Sequence, residues 1–276
     1  MNTLALAPPF PIALAAPPWA RWRVAVAYRW RHGRWPQLDA PGRFTEWVQW
    51  RKLNDRRHSL ALLTDKAHAK AIAEARLGRA RSIPTLWLGE VLPEVAPWSM
   101  PFIVKANHGC GQFVVVRCAA DYARAREAAM GWIKRAYGGW LDEWHYGAAR
   151  RLVLVEPYIG GAELPIDYKV YVFGGRAALV QVHEGRGARH RWSQFDLDWR
   201  PLSTDPIAVE APACLPEMIA AAEAMGEGEA FVRVDFYCEG GALKFGEYCL
   251  YPGSGLDPFT PDALDVELGA LWSRAA

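Results

Sequence analysis

Asp235 and Glu247 are the residues of this chain best spaced to hold a divalent cation. They lie in "AFVRVDFYCEGGALKFGEYCL", two β-rich arms that turn near Gly240-Gly241. Side chains alternate faces along a strand. Val232, Val234 and Phe236 therefore share one face, and Arg233 and Asp235 share the other. With the turn centred at Gly241, Asp235 falls about opposite Glu247. A slip of one residue would part them. Two adjoining carboxylates repel unless a cation or proton lies between them. Hard oxygen ligands of this kind suit magnesium bridging phosphates, and Arg233 on the same face can hold a phosphate oxygen. A surface hairpin with two solvated acids and an arginine partner would show the same pattern.

Three further segments carry candidate chemistry. In "PFIVKANHGCGQFVVV", Lys105 ends a β-rich run beside the loop His108-Gly109-Cys110-Gly111. A lysine there can reach phosphate oxygens while loop amides close over them, and glycine lets backbone approach closely. A tight hairpin turn reads the same way. Neither G-x-x-x-x-G-K-[ST] nor a strand followed by G-x-G-x-x-G is present. In "VLVEPYIGGAELPIDYKVYVF", Glu156 and Glu163 can accept from an adenine amino group and from ribose hydroxyls, or can be acids of a salt-bridged strand edge. Lys169, flanked by Tyr168 and Tyr171, reads as a phosphate lysine or as a snorkelling surface lysine. His183 and His190, near Arg186, are candidates for substrate contact or ordinary surface or core histidines.

The elements that must position these groups follow from periodicity and punctuation. The spacing predicts helices over 45–63 and 65–77, the second with Thr64 and Asp65 at its start and Gly78 just past its end. "SIPTLWLGEVLPE" reads as strand and loop, residues 101–118 as a hairpin and 120–136 as a helix. "RLVLVEPYI" reads as a buried strand, and "DYKVYVFGGRAALVQVH" as a hairpin turning at Gly174-Gly175. "CLPEMIAAAEAMG" and "PDALDVELGALWSR" read as helices on either side of the Asp235–Glu247 hairpin. Helices and hairpins interleave without a regular strand–helix alternation, which predicts an α+β fold.

Composition narrows the function classes. The 276 residues are 51% hydrophobic and 22% charged, enough for a sizeable folded core. A net charge of +2 makes no case for nucleic acid. No run of 18 apolar residues occurs, so no spanning helix is expected. The apolar start lacks a basic n-region and is interrupted by Pro8, Pro9, Pro11, Pro17 and Pro18, so it reads as a loose tail rather than a signal peptide. The five cysteines form no C-x-x-C pair and are odd in number. No disulfide framework or zinc site is expected, and a reducing cytoplasm is the expected compartment. Trp19, Trp22, Trp30 and Trp35 lie among Arg21, Arg23, Arg29, Arg31 and Arg34. That segment reads as an amphipathic helix packed on the body, or as a surface for an anionic partner such as a sugar-nucleotide, a polysaccharide or a membrane face.

Taken in order, these pieces resemble the ATP-grasp fold, two small subdomains clasping a nucleotide, from about Pro41 to the C-terminus. "LLTDKAHAKAIAEARLG" resembles its early D-K segment, "FIVKANHGCG" its strand lysine and glycine-rich lid, "VEPYIGGAE" its hinge and "RVDFY…FGEYCLYPGSG" its metal hairpin. "FTEWVQWRKLNDRR", "DYKVYVFGGRAALVQV", "DLDW" and "FGEYCLYPGSGLDPF" are similar, more narrowly, to the TupA-like group associated with polysaccharide and teichuronopeptide biosynthesis. The resemblance implies ATP and Mg2+ as cofactors. Lys66, Lys105, Lys169, Arg233 and the lid His108, Gly109, Cys110 and Gly111 would meet phosphates. Glu156 would face adenine, Ile159 would offer it backbone groups, and Glu163 would hold ribose. Asp235 and Glu247 would hold magnesium. Many members carry E-x-N at the metal; here that third position is Cys249, and a soft thiol is a poor magnesium ligand. Cys110 stands where serine is common.

The implied organisation is an N-terminal tail and basic-aromatic segment (1–40), a helical part (41–100), a lid subdomain (101–156) and a C-terminal subdomain with the metal hairpin (157–276). The implied reaction is ligation of a carboxylate, on a sugar acid, glycan or amino acid, to an amine through an acyl phosphate. Arg233, Arg186 and Lys169 would act at the reacting centre. A glycosyltransferase, a kinase-like transferase and a non-catalytic ATP-binding partner are the alternatives.

Overall fold

The computed structural model describes residues 15–185 and 190–276. Most of the N-terminal tail, and Arg186, lie outside the described residues. The first half runs α1 (Ala20–His32), α2 (Phe44–Asn54), α3 (His58–Thr64), α4 (Lys66–Leu77), β1 (Trp87–Gly89), β2 (Phe102–Ala106), β3 (Phe113–Val116), α5 (Ala119–Lys134) and α6 (Trp144–Ala148). The second half runs β4 (Val153–Pro157), β5 (Asp167–Phe173), β6 (Arg176–Glu184), β7 (Arg191–Phe195), α7 (Leu215–Gly226), β8 (Phe231–Glu239), β9 (Ala242–Cys249) and α8 (Asp262–Ala275).

The strands form two antiparallel sheets, so the fold is α+β. The smaller has the order β1-β4-β2-β3 and the larger β7-β6-β5-β8-β9. Each sheet has its own apolar core. Phe102, Val104, Val116, Val153 and Val155 of the small sheet pack with Tyr122, Ala125 and Ala129 of α5. In the large sheet the apolar faces of β5, β6, β8 and β9 pack with Met218, Ala222 and Met225 of α7 and with Leu264, Leu268 and Trp272 of α8. The alternation of β8 predicted this: Val232, Val234 and Phe236 are all fully buried in that core.

Helix boundaries follow local chemistry. The single helix expected over 45–63 breaks into α2 and α3 at residues 55–57. Asp55 leaves the helical region there, and its carboxylate takes both Nε and Nη2 of Arg57, at 2.8 and 2.9 Å. Short polar side chains that bond locally compete with a helix in this way. Asp65 caps α4 by accepting from the His68 amide at 3.0 Å, and Gly78 ends it with φ +85°. α6 and β7 are two elements that the sequence patterns did not mark.

The N-terminal helix packs on the body through buried Ala20, Val24 and Tyr28. The Tyr28 hydroxyl meets Thr45 Oγ1 at 3.0 Å, and Thr45 donates from its amide and hydroxyl to the buried Asp265 at 2.9 and 2.8 Å, which ties α1 and α2 to α8. Trp22 and Trp30 remain exposed on its outer face. No described helix is long and apolar enough to cross a membrane. The cysteine expectation needs one correction: Cys214 and Cys238 pair as a disulfide that joins the start of α7 to β8. Residues 24 apart in sequence are brought together by tertiary packing, which cysteine spacing does not reveal.

The aromatic centre of the large core is Trp272, stacked on Trp47 and tilted against Phe231 and Phe44, with the buried Arg51 guanidinium 4.4 Å above its ring. Trp272→Ala opens a cavity there and strips Arg51 of its platform. We expect a loss of about 3–5 kcal/mol, measured by urea unfolding.

Candidate active site

The two sheets face each other across a cleft with about 890 Å³ of empty space. One part is apolar, with Ile83, Ile103, Phe113, Ile159 and Leu164 in its walls; Lys66, Lys105, Glu156 and Glu247 supply the charged part. The loop Gly109-Cys110-Gly111 of the β2–β3 hairpin lies against the same space.

On the small sheet, Ile103 of β2 pairs with Glu156 of β4, and Lys105 pairs with Leu154. Lys105 and Glu156 thus project from the same face two residues apart, and Lys105 Nζ sits 2.7 Å from Glu156 Oε2. Lys70 of α4 takes the other Glu156 oxygen. Burial pushes the Glu156 carboxyl up, but the two lysines outweigh it and hold it below the usual range.

On the large sheet, the register sets Asp235 opposite Glu247, as expected, and Lys169 of β5 opposite Asp235 on the other side. A β-bulge after Asp235 then shifts the pairing. Gly246 belongs there, because a Cβ at that position would lie 3.0 Å from the Asp235 carbonyl oxygen. Arg233 holds Asp235 through Nε and Nη2, both at 2.7 Å, and Lys169 reaches Asp235 at 2.6 Å and Asp167 at 3.0 Å. Burial would raise the Asp235 carboxyl; Arg233 and Lys169 hold it at about 2.

Lys66, the first residue of α4, joins the two sides. Its Nζ donates to the Gly109 carbonyl at 2.8 Å and lies 2.9 Å from Glu247. Burial opposes its charge, and Glu247 more than restores it, so the ammonium is held more firmly than usual. Glu247 is lowered in return: burial and the repulsion of Asp235 raise it, and Lys66 and Lys169 together outweigh them.

The sequence-predicted residues divide accordingly. Lys66, Lys105, Gly109, Cys110, Gly111, Glu156, Ile159 and Glu247 share the cleft. Lys169 and Arg233 line an adjoining groove with Glu247 and Cys249, and Asp235 lies buried beneath them. Two expectations change, those for His108 and Glu156. His108 is fully buried, with Nε2 3.1 Å from the Trp132 carbonyl, so it anchors the lid on α5 rather than facing phosphate. Both Glu156 oxygens are taken by lysines, which leaves the carboxylate as their holder rather than an adenine acceptor. Glu163 is exposed, its carbonyl accepting from the Tyr158 hydroxyl at 2.6 Å. Lys70 and Asp167 were missed. The signals were available: Lys70 lies four residues after Lys66 on one helix face, and Asp167 two before Lys169 on one strand face.

Glu247 offers hard oxygens that suit a magnesium ion completed by phosphate and water, and Asp235 would join it on giving up one of its bonds to Arg233 or Lys169. No group of three or more His, Cys, Asp or Glu converges as a metal site among the described residues. Burial pushes the Cys249 thiol up to about 12 against the pull of Arg233, so it stays protonated and offers no thiolate.

Two small sheets clasping a lysine-lined cleft are the ATP-grasp fold. The VanG D-Ala:D-Ser ligase from Enterococcus faecalis shares it at 15% identity and a TM-score of 0.50, over 79% of this chain and 62% of that one. A model of the TupA-like ATPgrasp family matches residues 46–273, and the chain belongs to that family. The D-alanine–D-alanine ligase from Bacillus anthracis, solved with ATP, is similar at 14% identity and a TM-score of 0.49, over 78% of this chain and 65% of that one. The corresponding ligase from Helicobacter pylori is similar at 14% identity and 0.49, over 85% and 67%. The chain thus spans less than two thirds of the Enterococcus and Bacillus proteins. No curated protein matches it.

Asp235 supplies a pH test. Its folded value is depressed below the ordinary 3.8. Its contribution is therefore complete above about pH 4 and is lost as pH falls toward 2. The stability gap between wild type and Asp235→Asn should be constant from pH 7 to about 4 and shrink below that in urea titrations. Cys110 is exposed on the lid loop. Its alkylation by N-ethylmaleimide should slow at least ~10-fold under saturating ATP if the nucleotide lies against this loop, by simple occupancy.

Proposed function

We propose that this cleft binds ATP with magnesium and that the chain joins a carboxylate to an amine through an acyl phosphate. The observation that carries this is Lys66. One ammonium holds both the lid loop and Glu247, at the junction of an apolar slot with a cation-rich end. The apolar walls suit an adenine ring, with backbone groups near Ile159 for its edge and the exposed Glu163, next to the lining Leu164, for ribose. Lys66 and Lys105 meet the phosphates, and Glu156, itself held by the buried Lys70, keeps Lys105 at the cleft wall.

The chain's own groups then do positioning and charge stabilisation. Arg233 and Lys169 line the adjoining groove and face developing negative charge on the transferred phosphoryl group and the acyl phosphate; Arg186 is a further candidate for the same role. Magnesium, held by Asp235 and Glu247, would neutralise phosphate charge. Buried carboxylates side by side need positive charge between them, and Lys66 and Lys169 supply it in this structure. Tryptophans and arginines of α1 in the groove wall suit a sugar acid or glycan as one substrate, which fits a role in polysaccharide biosynthesis. A cytoplasmic enzyme without nucleic-acid partners, touching a membrane surface at most through 19–35, is the corresponding setting.

The test is ADP release across a panel of carboxylates and amines, with hydroxylamine as a trap. Release that needs a carboxylate and yields a hydroxamate supports the ligase. Release with a hydroxyl acceptor and no hydroxamate would make the chain a kinase-like transferase instead. Glu247→Gln and Asp235→Asn should each lower magnesium-dependent release by about 100-fold or more. Lys105→Ala should weaken ATP binding by about 10- to 100-fold in calorimetry, the scale of one charge-assisted hydrogen bond.

A further inference from the structure

The segment after β9 holds three successive left-handed residues, Gly253, Ser254 and Gly255, with φ of 53, 57 and 64°. Only Ser254 bears a side chain, at a cost of about 1–2 kcal/mol. Two residues of α2 hold it. Gln49 Nε2 donates to the carbonyls of Ser254 and Gly255 at 2.8 and 3.0 Å. Lys52 Nζ donates to the Ser254 carbonyl at 2.8 Å and to Ser254 Oγ at 2.7 Å. The carbonyl bonds suffice to anchor the backbone; the bond to Oγ does something more.

Proton counting shows what. An ammonium group only donates, so Oγ accepts from Lys52 and its own proton must go elsewhere. The buried Glu143 carboxylate is within hydrogen-bonding reach of that hydroxyl. One lone pair of Oγ is left, and Ser254 lines the groove that also holds Lys169, Arg233 and Glu247. Neither Lys52 nor Glu143 has any part in the nucleotide cleft.

We propose that Ser254 and Glu143 form the proton relay of the acceptor side, with Lys52 as the residue that positions Ser254. The inference rests on the ligase reading above. When an amine has added to the acyl carbon, its N–H bond breaks and the proton joins Ser254 Oγ. In the same step the Ser254 O–H bond breaks and that proton joins a Glu143 carboxylate oxygen. The N–H electron pair stays on nitrogen, and Glu143 later returns the proton to water.

The surroundings favour this direction. Burial raises the Glu143 carboxyl against the pull of Lys52 and Ser254, and so makes it a better base. Burial lowers Lys52 to about 8 against the pull of Glu143 and Asp142. The other charged or titratable groups facing the cluster are Arg23, which is paired with Asp142; His145 and Arg51; and the phenols of Tyr137, Tyr146 and Tyr251.

A hydroxyl with a base behind it is also a nucleophile, so the relay can be tested without substrate. Phenylmethylsulfonyl fluoride should sulfonylate Ser254 in the full chain: the Oγ–S bond forms, the S–F bond breaks, fluoride leaves and the hydroxyl proton passes to Glu143. Peptide mapping should find the adduct at Ser254 and none there in Ser254→Ala. Glu143→Gln keeps the shape and the hydrogen-bond acceptor but removes the basicity, and should slow labelling about 100-fold. In wild type alone, the rate should fall about tenfold per pH unit below the Glu143 pKa. An anchoring role would move neither rate. Absence of a Ser254 adduct, or a wild-type rate that is flat with pH, would overturn the relay. Failure of the ligase reading would show in the ADP-release panel, to which this labelling is indifferent.

Discussion

Every charge in the seam between the two sheets is held by an opposite charge, most of them from a different element. Lys66, Lys70, Lys105, Lys169 and Arg233 face Glu156, Asp167, Asp235 and Glu247. Taking any one of these out of water alone would cost several kcal/mol, and attraction repays that only when partners are placed well. The rest of the fold can be seen as the means of placing them. The lysines arrive on α4, β2 and β5, and the acids on β4, β5, β8 and β9. None of these elements can shift without leaving a buried charge unmatched.

The helix α4 is central to that arrangement. Lys66 and Lys70 lie on one face of it, one turn apart, and reach the large sheet through Glu247 and the small sheet through Glu156. Its start is secured by Asp65, which caps the helix and takes both Nε and Nη2 of Arg150, at 2.7 and 2.9 Å. Asn107, just past β2, accepts from the Lys66 and Ala67 amides and donates to the Arg150 carbonyl. The end of the small-sheet strand, the start of the helix and the segment before β4 are thus one hydrogen-bonded corner. Polyphosphate oxygens in this seam would replace carboxylates as partners of the lysines, an exchange of like for like in charge.

Much of this was legible in the residues. The period-2 alternation of β8 and β9 identified the buried face; the Gly240-Gly241 turn pairs Glu239 with Ala242, a register that carried on would set Asp235 against Gly246, and the bulge after Asp235 brings Glu247 opposite it instead. Asp65 and Gly78 marked α4 within one residue. The break between α2 and α3 was not legible, because Asp55 has a helical alternative that only its bonds to Arg57 exclude. β7 was missed because "RWSQF" has no clean alternation; it pairs with β6, and its Ser193 and Gln194 are buried polar residues.

The sequence by itself determined which residue types sit on which face of each element, since that depends only on local period and turn chemistry. It therefore marked Lys105, Glu156, Asp235 and Glu247, though not Lys70 or Asp167, and the α+β class. Tertiary structure alone decided who meets whom. Lys70 and Lys105 converge on one carboxylate, His108 turns inward, Cys214 finds Cys238, and Lys52 reaches a strained serine 202 residues away. Pairings between distant segments depend on how two sheets and a helix pack together, and no local spacing encodes that distance.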